Sequence, residues 1–396
     1  MTQSSAEQMR RWQGPAILSY GFRPFFLFGA IWAAVAMALW IMALAGRVDL
    51  PSVMDPVSWH AHAFLFGYTG AIIAGFLLTA VPNWTGRLPV VGWALAGLVG
   101  LWGAGRLSVL FSAFLPAWIV ISIDLAFPFV LALVILREII AGRNWRNLII
   151  LLLLGVFAAA NLTYHVEVLN GDYAAQGHGS RLGLAAVMLM IAVIGGRIVP
   201  SFTRNWLVRE GKGHIPASPM QLFDKFVLVV SVPAFLTWVL LPGSTTTAWM
   251  LLAVGIAQGV RLARWKGVYT FGEPLVAILH VAYLFVPLGA LAMWGAILRP
   301  DILPVSTAQH FWMAGALGGM TLAVMTRASL GHTGRSLHAG SGTSIIYLSI
   351  VGSTFVRGAA GIWPEESLYQ LAGGLWICAF VLFVTIYGSM LATRKI

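Results

Sequence analysis

The sequence predicts an all-α fold, a polytopic membrane helix bundle of about twelve transmembrane helices with both termini cytoplasmic. Three observations predict it. Of the 396 residues, 59% are hydrophobic and only 9% are charged, where a soluble globular protein carries about 25% charged residues. The apolar runs are close to about 20 residues long and do not alternate with period two, which selects helices over a membrane barrel. The few positive charges fall in short segments between those runs, and on alternate segments. In lipid the backbone must satisfy its own hydrogen bonds, so nearly all of this chain must be helical.

Apolar spans are read at 25–46, 59–81, 88–112, 115–136, 146–168, 180–200, 222–241, 246–264, 272–298, 306–327, 343–361 and 366–391. Arg106 and Pro116 interrupt the region of the third and fourth spans. Arg10 and Arg11, followed by Gly14 and Pro15, do not read as a cleavable signal peptide. The net charge of +11 reflects topology rather than nucleic acid. Of 24 Lys and Arg residues, all but Arg47, Arg106, Arg181, Arg299 and Arg357 lie on segments that are inside when both ends are inside. That bias fixes the expected orientation and supports an even number of spans. The single cysteine, Cys378, lies in the last span, so disulfides and Cys-x-x-Cys metal or haem motifs are excluded.

The chain contains an internal repeat. The stretch from His62 to Arg87 aligns without gaps to the stretch from His310 to Arg335. The two share the opening histidine, Gly67 with Gly315, Gly70 with Gly318, and a closing Thr-Gly-Arg. A third stretch, His178 to Arg204, matches loosely. A single transmembrane domain, 1–396, is therefore expected to be built from four-helix repeat units of about 1–140, 141–265 and 266–396. Small residues on such helices allow close packing.

The nine histidines carry the chemical information. His60, His62, His165, His178 and His310 collect near the outer ends of their spans, His280 lies within span nine, and His332 and His338 follow span ten. An imidazole in a membrane is costly unless it is hydrogen-bonded or ligates something, and neutral imidazole is a common ligand of haem iron and copper. His60 and His62 are two apart and point about 200° apart on a regular helix. They therefore serve different partners: two cofactors, or a ligand and a hydrogen bond. Among acidic residues within the spans, Asp124 is the one expected to be buried as a proton-relay candidate. Arg197 and Arg327 stand at inner helix ends, where arginine either snorkels to headgroups or pairs bidentately with carboxylates.

Several stretches together resemble the NnrS family of haem- and copper-containing membrane proteins linked to nitric oxide metabolism. They are Gly21 to Phe28 (GFRPFFLF), Trp59 to Tyr68 (WHAHAFLFGY) continuing to Arg87, Gly195 to Asn205 (GGRIVPSFTRN), Leu279 to Tyr283 (LHVAY) and Met320 to Arg335 (MTLAVMTRASLGHTGR). One departure is visible: the family typically reads Trp-His-Ala-His-Glu where this chain has Ala63. The resemblance implies a multi-pass protein of the bacterial cytoplasmic membrane that holds one or two haem b groups and admits copper. It also implies that the protein binds nitric oxide and reduces or detoxifies it, as a membrane haem oxidoreductase drawing electrons from quinol. Carried over by motif, His60, His62, His165, His280, His310 and His332 become the cofactor ligands, with His60, His62 and His310 as metal ligands. Arg197 and Arg327 become partners of haem propionates.

Two other readings fit the spans. A twelve-helix secondary transporter is compatible with the repeats, although histidines near one face do not match a midplane site. A haem or metal sensor, or an assembly factor without turnover, would use the same ligands.

Overall fold

The structure, a computed structural model, describes residues 12–85 and 89–394. The charges expected at Arg10, Arg11, Arg87 and Lys395, and so the end of the first repeat copy, lie outside those residues. Among the described residues every regular element is helical. Eleven helices are long and apolar enough to cross a membrane. They include α1 (Phe22–Leu44), α3 (Gly92–Leu110), α4 (Ala117–Ala141), α5 (Leu148–Leu169), α6 (His178–Arg209) and α7 (Leu222–Leu240). They also include α8 (Thr245–Ala263), α9 (Pro274–Leu298), α11 (Ser341–Ile362) and α12 (Glu366–Ala392). The eleventh, α2, runs as Pro56–His62, then a π-helical turn over Ala63–Tyr68, then Thr69–Thr85. The remaining span, α10, is assembled in the same way: Val305–His310, a π segment over Phe311–Gly318, then Gly319–His332.

The π segments begin at the residue after His62 and at the residue after His310, the two histidines that open the sequence repeat. The repeat is thus also a repeat of backbone geometry. A π turn widens the helix and redirects its carbonyls, and such turns are frequent at functional sites. In α2 the carbonyls around the wide turn have side-chain partners. Ala63 O accepts Trp32 Nε1 at 3.0 Å, Phe64 O accepts Thr69 Oγ1 at 2.9 Å, and Gly67 O accepts Trp102 Nε1 at 2.9 Å. In α10, Thr321 Oγ1 donates to Leu317 O and Gly318 O. With no water in the bilayer core, these donors supply partners that the redirected carbonyls need.

The chain forms two compact units, Met1–Gly183 with Phe380–Ile396, and Leu184–Ala379. In the first, α2 packs against α1 and α4, α3 against α4, and α4 against α5. In the second, α9 packs against α8 and α10, α8 against α7, and α10 against α11.

Helix ends are capped by charged side chains. Asp55 accepts the amides of Val57 and Ser58 at the start of α2, and Pro56 opens that helix. Glu167 accepts the amides of His178 and Gly179 at the start of α6. These anions sit where helix N-termini leave donors and partial positive charge. Arg23 does the converse. Its buried Nη1 donates to the carbonyls of Met390, Leu391 and Thr393, closing the C-terminus of α12. The arginine of the GFRPFFLF stretch is thus a helix cap. Arg23→Ala should lower stability by about 1–3 kcal/mol through unsatisfied buried carbonyls, and Arg23→Lys should restore part of it. Thermal unfolding of the detergent-solubilised protein measures both.

Candidate metal centre

The first unit brings four helices together on one carboxylate. Asp124 stands two turns into α4 and is fully buried. From α3, Arg106 Nη2 donates to Asp124 Oδ1 in a close ion pair. From α5, Asn161 Nδ2 donates to Oδ2 at 2.8 Å, and His165 Nε2 lies 2.9 Å from the same oxygen. Asn161 and His165 are one helical turn apart, so one face of α5 carries both. From α2, His62 Nε2 lies 3.2 Å from Asp124 Oδ2 and 2.9 Å from Asn161 Oδ1. His62 is the last residue before the π turn, and its ring is fully buried against Phe66, Tyr164 and His165.

Two glycines make this close approach possible. A β-carbon on Gly67, inside the π turn, would lie 2.5 Å from Arg106 Nη1, and one on Gly105 would lie 3.0 Å from Asp124 Oδ1. The second copy uses the same glycine differently. A β-carbon on Gly315 would collide with the ring of Phe285. One conserved spacing within the chain thus admits a guanidinium in one unit and an aromatic ring in the other.

His62, Asp124 and His165 each offer one ligand atom within 4.8 Å of the others, the metal-like group found among the described residues. Two donors at about 2.0–2.1 Å from one ion, in cis or tetrahedral positions, lie about 2.9–3.4 Å apart. The two imidazole–carboxylate distances, 2.9 and 3.2 Å, fall in that range. His62 Nδ1 has no partner among the described residues. It is therefore free to take the proton when Nε2 binds an ion. Position 63 is Ala63, and Asp124 meets His62 at Nε2, the ring atom that would bind an ion, so it stands as a co-ligand rather than as the carboxylate that usually orients a ligating histidine from its other ring nitrogen.

A haem does not fit this group. The void beside it, walled by Phe66, Phe127, Phe157 and Asp124 among others, has a volume of only about 10 Å³. The group therefore suits an ion and not a macrocycle.

The other sequence-predicted residues are placed separately. His60 points away from His62, as its spacing requires, and stacks on Trp40 with ring centroids 4.5 Å apart. His310 turns back onto its own helix, with Nδ1 2.6 Å from Ser306 O, and belongs to the second unit. His280 is buried in that unit with Nε2 2.7 Å from Thr203 Oγ1, while its Nδ1 edge lies against Gly267. His332 is exposed at the end of α10. Arg197 is half-buried on α6, and the Arg327 guanidinium lies 4.0 Å over the ring of Phe202. Of the eight candidates, His62 and His165 are brought together.

Sequence reasoning missed two members of the buried Asp124 network and a second buried ion pair. Arg106 was counted with the outer charges but is 5% exposed inside α3. Asn161 carried no flag, although its spacing of four from His165 was readable. In the second unit, Asp224 and Arg261 form another buried pair at 2.9 Å. Arg261 also donates to Tyr283 Oη and Ala192 O, and Tyr283 Oη donates to Gln258. The readable signal there was the Gln221–Asp224 capping box opening α7.

Removing one partner of a buried ion pair costs about 3–5 kcal/mol, because the other charge is stranded. Asp124→Ala should therefore destabilise the protein by about that much, while Asp124→Asn, which keeps one acceptor, should cost less; thermal scans separate them. Deleting one residue from 63–68 should convert the π turn to α and swing His62 by about 100° relative to the rest of α2. The deleted protein should still express in the membrane but lose metal from the His62 group, as read by elemental analysis.

No curated relative matches the chain. A family model described as NnrS protein matches residues 16–395, nearly the whole chain. The match takes in the π-turn helices, the Arg23 cap and every residue of the Asp124 network, so this chain belongs to the NnrS family.

Proposed function

We propose that this chain is a multi-pass protein of the bacterial cytoplasmic membrane that binds nitric oxide at a metal ion held by His62, His165 and Asp124, and that it relieves nitric oxide stress with electrons from membrane quinol. The observation that carries the reading is the buried His–Asp–His group in a family associated with haem, copper and nitric oxide. With both termini inside, this group faces the outer half of the bilayer, where an apolar gas arrives through lipid.

The charge balance favours copper in its monovalent state. Asp124 is already neutralised by Arg106, so the imidazoles enter as neutral ligands. A divalent ion adds two net charges to this buried place and a monovalent ion adds one, and the desolvation cost rises with charge. Two imidazoles also suit copper. When bound, the ion supplies the one-electron and Lewis-acid chemistry that nitric oxide requires. The chain's own residues do the rest. Asp124 fixes the direction of both imidazoles, and Arg106 pairs with that carboxylate. Asn161 links His62 to Asp124. Phe66 and Phe157 wall the void beside the group. The haem that the resemblance implies is given no step here, because the packing around His62 does not accommodate it.

Purified protein should contain about one copper per chain, and its reduced form should change spectrum on adding nitric oxide. His62→Ala and His165→Ala should each lower the copper content at least about tenfold, the scale of losing one ligand or its support. His214→Ala and His338→Ala should leave it unchanged. Full copper content in both of the first pair would remove the proposed centre.

A further inference from the structure

At one end of the second unit, three connections between spans meet around a recess. They are residues 210–221 between α6 and α7, 264–273 between α8 and α9, and 333–340 between α10 and α11. The walls include Trp206 and Arg209 at the end of α6, Gly272 and Glu273 ahead of α9, and Ser336 and His338 ahead of α11. The recess has a volume of about 340 Å³, within the range of small-molecule sites. The connection 264–273 is short, is folded by a 3-10 turn over Gly267–Tyr269, and joins two helices long and apolar enough to cross a membrane. It therefore stays at the membrane boundary, and the recess beside it does too.

The charges at this end are unequal. Arg209 and the three connections carry five basic side chains, Arg209, Lys212, Arg264, Lys266 and Arg335, against two carboxylates, Glu210 and Glu273. Asp224, just inside α7, is taken by Arg261 at 2.9 Å. Both carboxylates of the recess are engaged as well. Glu273 is buried and accepts from Leu275 N at 3.1 Å, Ala339 N at 3.0 Å and His338 Nδ1 at 2.7 Å. Glu210 accepts from Arg209 Nε at 3.3 Å. The Nη groups of Arg209 and the hydroxyl of Ser336 have no hydrogen-bond partner among the described residues. Lys212 stands close by, with Nζ 4.2 Å over the ring of Trp206. The groups left open are thus a planar guanidinium fork and a hydroxyl in a basic field, the donor set that a phosphate matches.

The same end also exposes apolar side chains. Val268 is 72% and Phe271 69% exposed, both on the short connection that also carries Gly272. Apolar side chains at the membrane boundary beside lysine and arginine form an interfacial lipid contact, and basic pockets between spans take anionic headgroups. We infer that the recess seats the headgroup of one anionic phospholipid, with its phosphodiester against Arg209 and Ser336, in the field of Lys212 and Arg335, and its chains beside Val268 and Phe271. A soluble phosphate ester matches the donors but leaves that apolar rim uncovered, so the occupant is a lipid. The inference is independent of the proposed function, whose metal group lies in the other unit.

The test titrates full-length protein in detergent with phosphatidylglycerol, or with phosphatidylcholine of the same chains, and reads binding by native mass spectrometry. Wild type should bind one phosphatidylglycerol at least about tenfold more tightly than phosphatidylcholine. Arg209→Gln combined with Lys212→Gln should remove most of that preference. Lys225→Gln, which changes an exposed base on α7 that does not line the recess, should keep it. No preference in wild type, or the full preference in the double variant, overturns the inference. Gly272 separates a built seat from a merely basic surface. A β-carbon there would touch Trp206 at 3.8 Å, an ordinary contact, so Gly272→Leu should fold and fill the recess with every charge in place. It should weaken phosphatidylglycerol binding several-fold, and unchanged binding would reduce the effect to diffuse attraction and overturn the seat.

Two further arms fix the occupant and the place. Glycerol phosphate, added at the lipid's own concentration, should not displace phosphatidylglycerol; displacement would make the recess a site for a soluble ester and overturn the lipid assignment. A phosphatidylglycerol with a photoreactive headgroup should crosslink within residues 206–210, 268–273 or 336–338. Crosslinks confined to other segments overturn the placement.

Discussion

The ion pair between Arg106 and Asp124 is the constraint on which the first unit depends. A charge inside a bilayer is tolerated only when it is paired and hydrogen-bonded. Here the carboxylate is fully buried and the guanidinium 5% exposed, so neither can be satisfied by water. Everything nearby is arranged around that need. Gly67 and Gly105 remove the side chains that would hold α2 and α3 away from the pair. Asn161, His62 and His165 complete the donor set of the carboxylate. Three spans that could slide past one another in an apolar bundle are instead fixed in register by one acidic side chain. The same pairing leaves the network close to neutral.

The two repeat copies show how one backbone device can serve two ends. Both place a histidine immediately before a π turn and a glycine within it. In α2 the wide turn admits Arg106, and His62 points into a polar network. In α10 the corresponding space is filled by Phe285, and His310 bonds to its own backbone at Ser306. Where a partner is a charge, the turn becomes part of a site; where it is a ring, the turn becomes part of the packing. The second unit still buries an ion pair, Asp224 with Arg261, but surrounds it with Tyr283 and Gln258 rather than with histidines. That network has hydrogen-bond partners and no pair of imidazoles, so it reads as internal cross-linking of α7, α8 and α9.

Much of the fold was legible because hydropathy and charge speak about solvent directly. Runs of apolar residues report lipid, and alternating arginines report loops. His62, His165 and Asp124 were each visible one by one, since an ionisable residue in an apolar run stands out. Their grouping was not visible, because the three residues lie on three helices and no spacing in the sequence encodes which faces meet. Arg106 was misplaced for a related reason. Charge counting treats an arginine near a helix end as a loop residue, whereas a buried partner one span away draws it inside. The π turns left no signature, since an extra residue in a helix preserves its composition and nearly preserves its period. The repeat was the one clue to them, and it paired His62 with His310. Their different fates were decided by neighbours on other helices.

The saturation of Asp124 bears on how such a centre works. A site whose ligands cohere only around a metal folds when the metal arrives, as small zinc domains do. Here four N–H groups already balance the carboxylate, so the ligands are held by protein contacts. An ion entering this group does not build it. Held by His62 and His165, it would replace both Nε2 protons; His62 Nδ1, unpartnered among the described residues, would take up one, and the other would have to leave the group. The geometry that an ion would meet is set in advance by α2, α4 and α5. Such preorganisation costs stability where a single hydrophobic side chain would pack better. Its return is a preformed, nearly neutral group within the membrane-spanning helices.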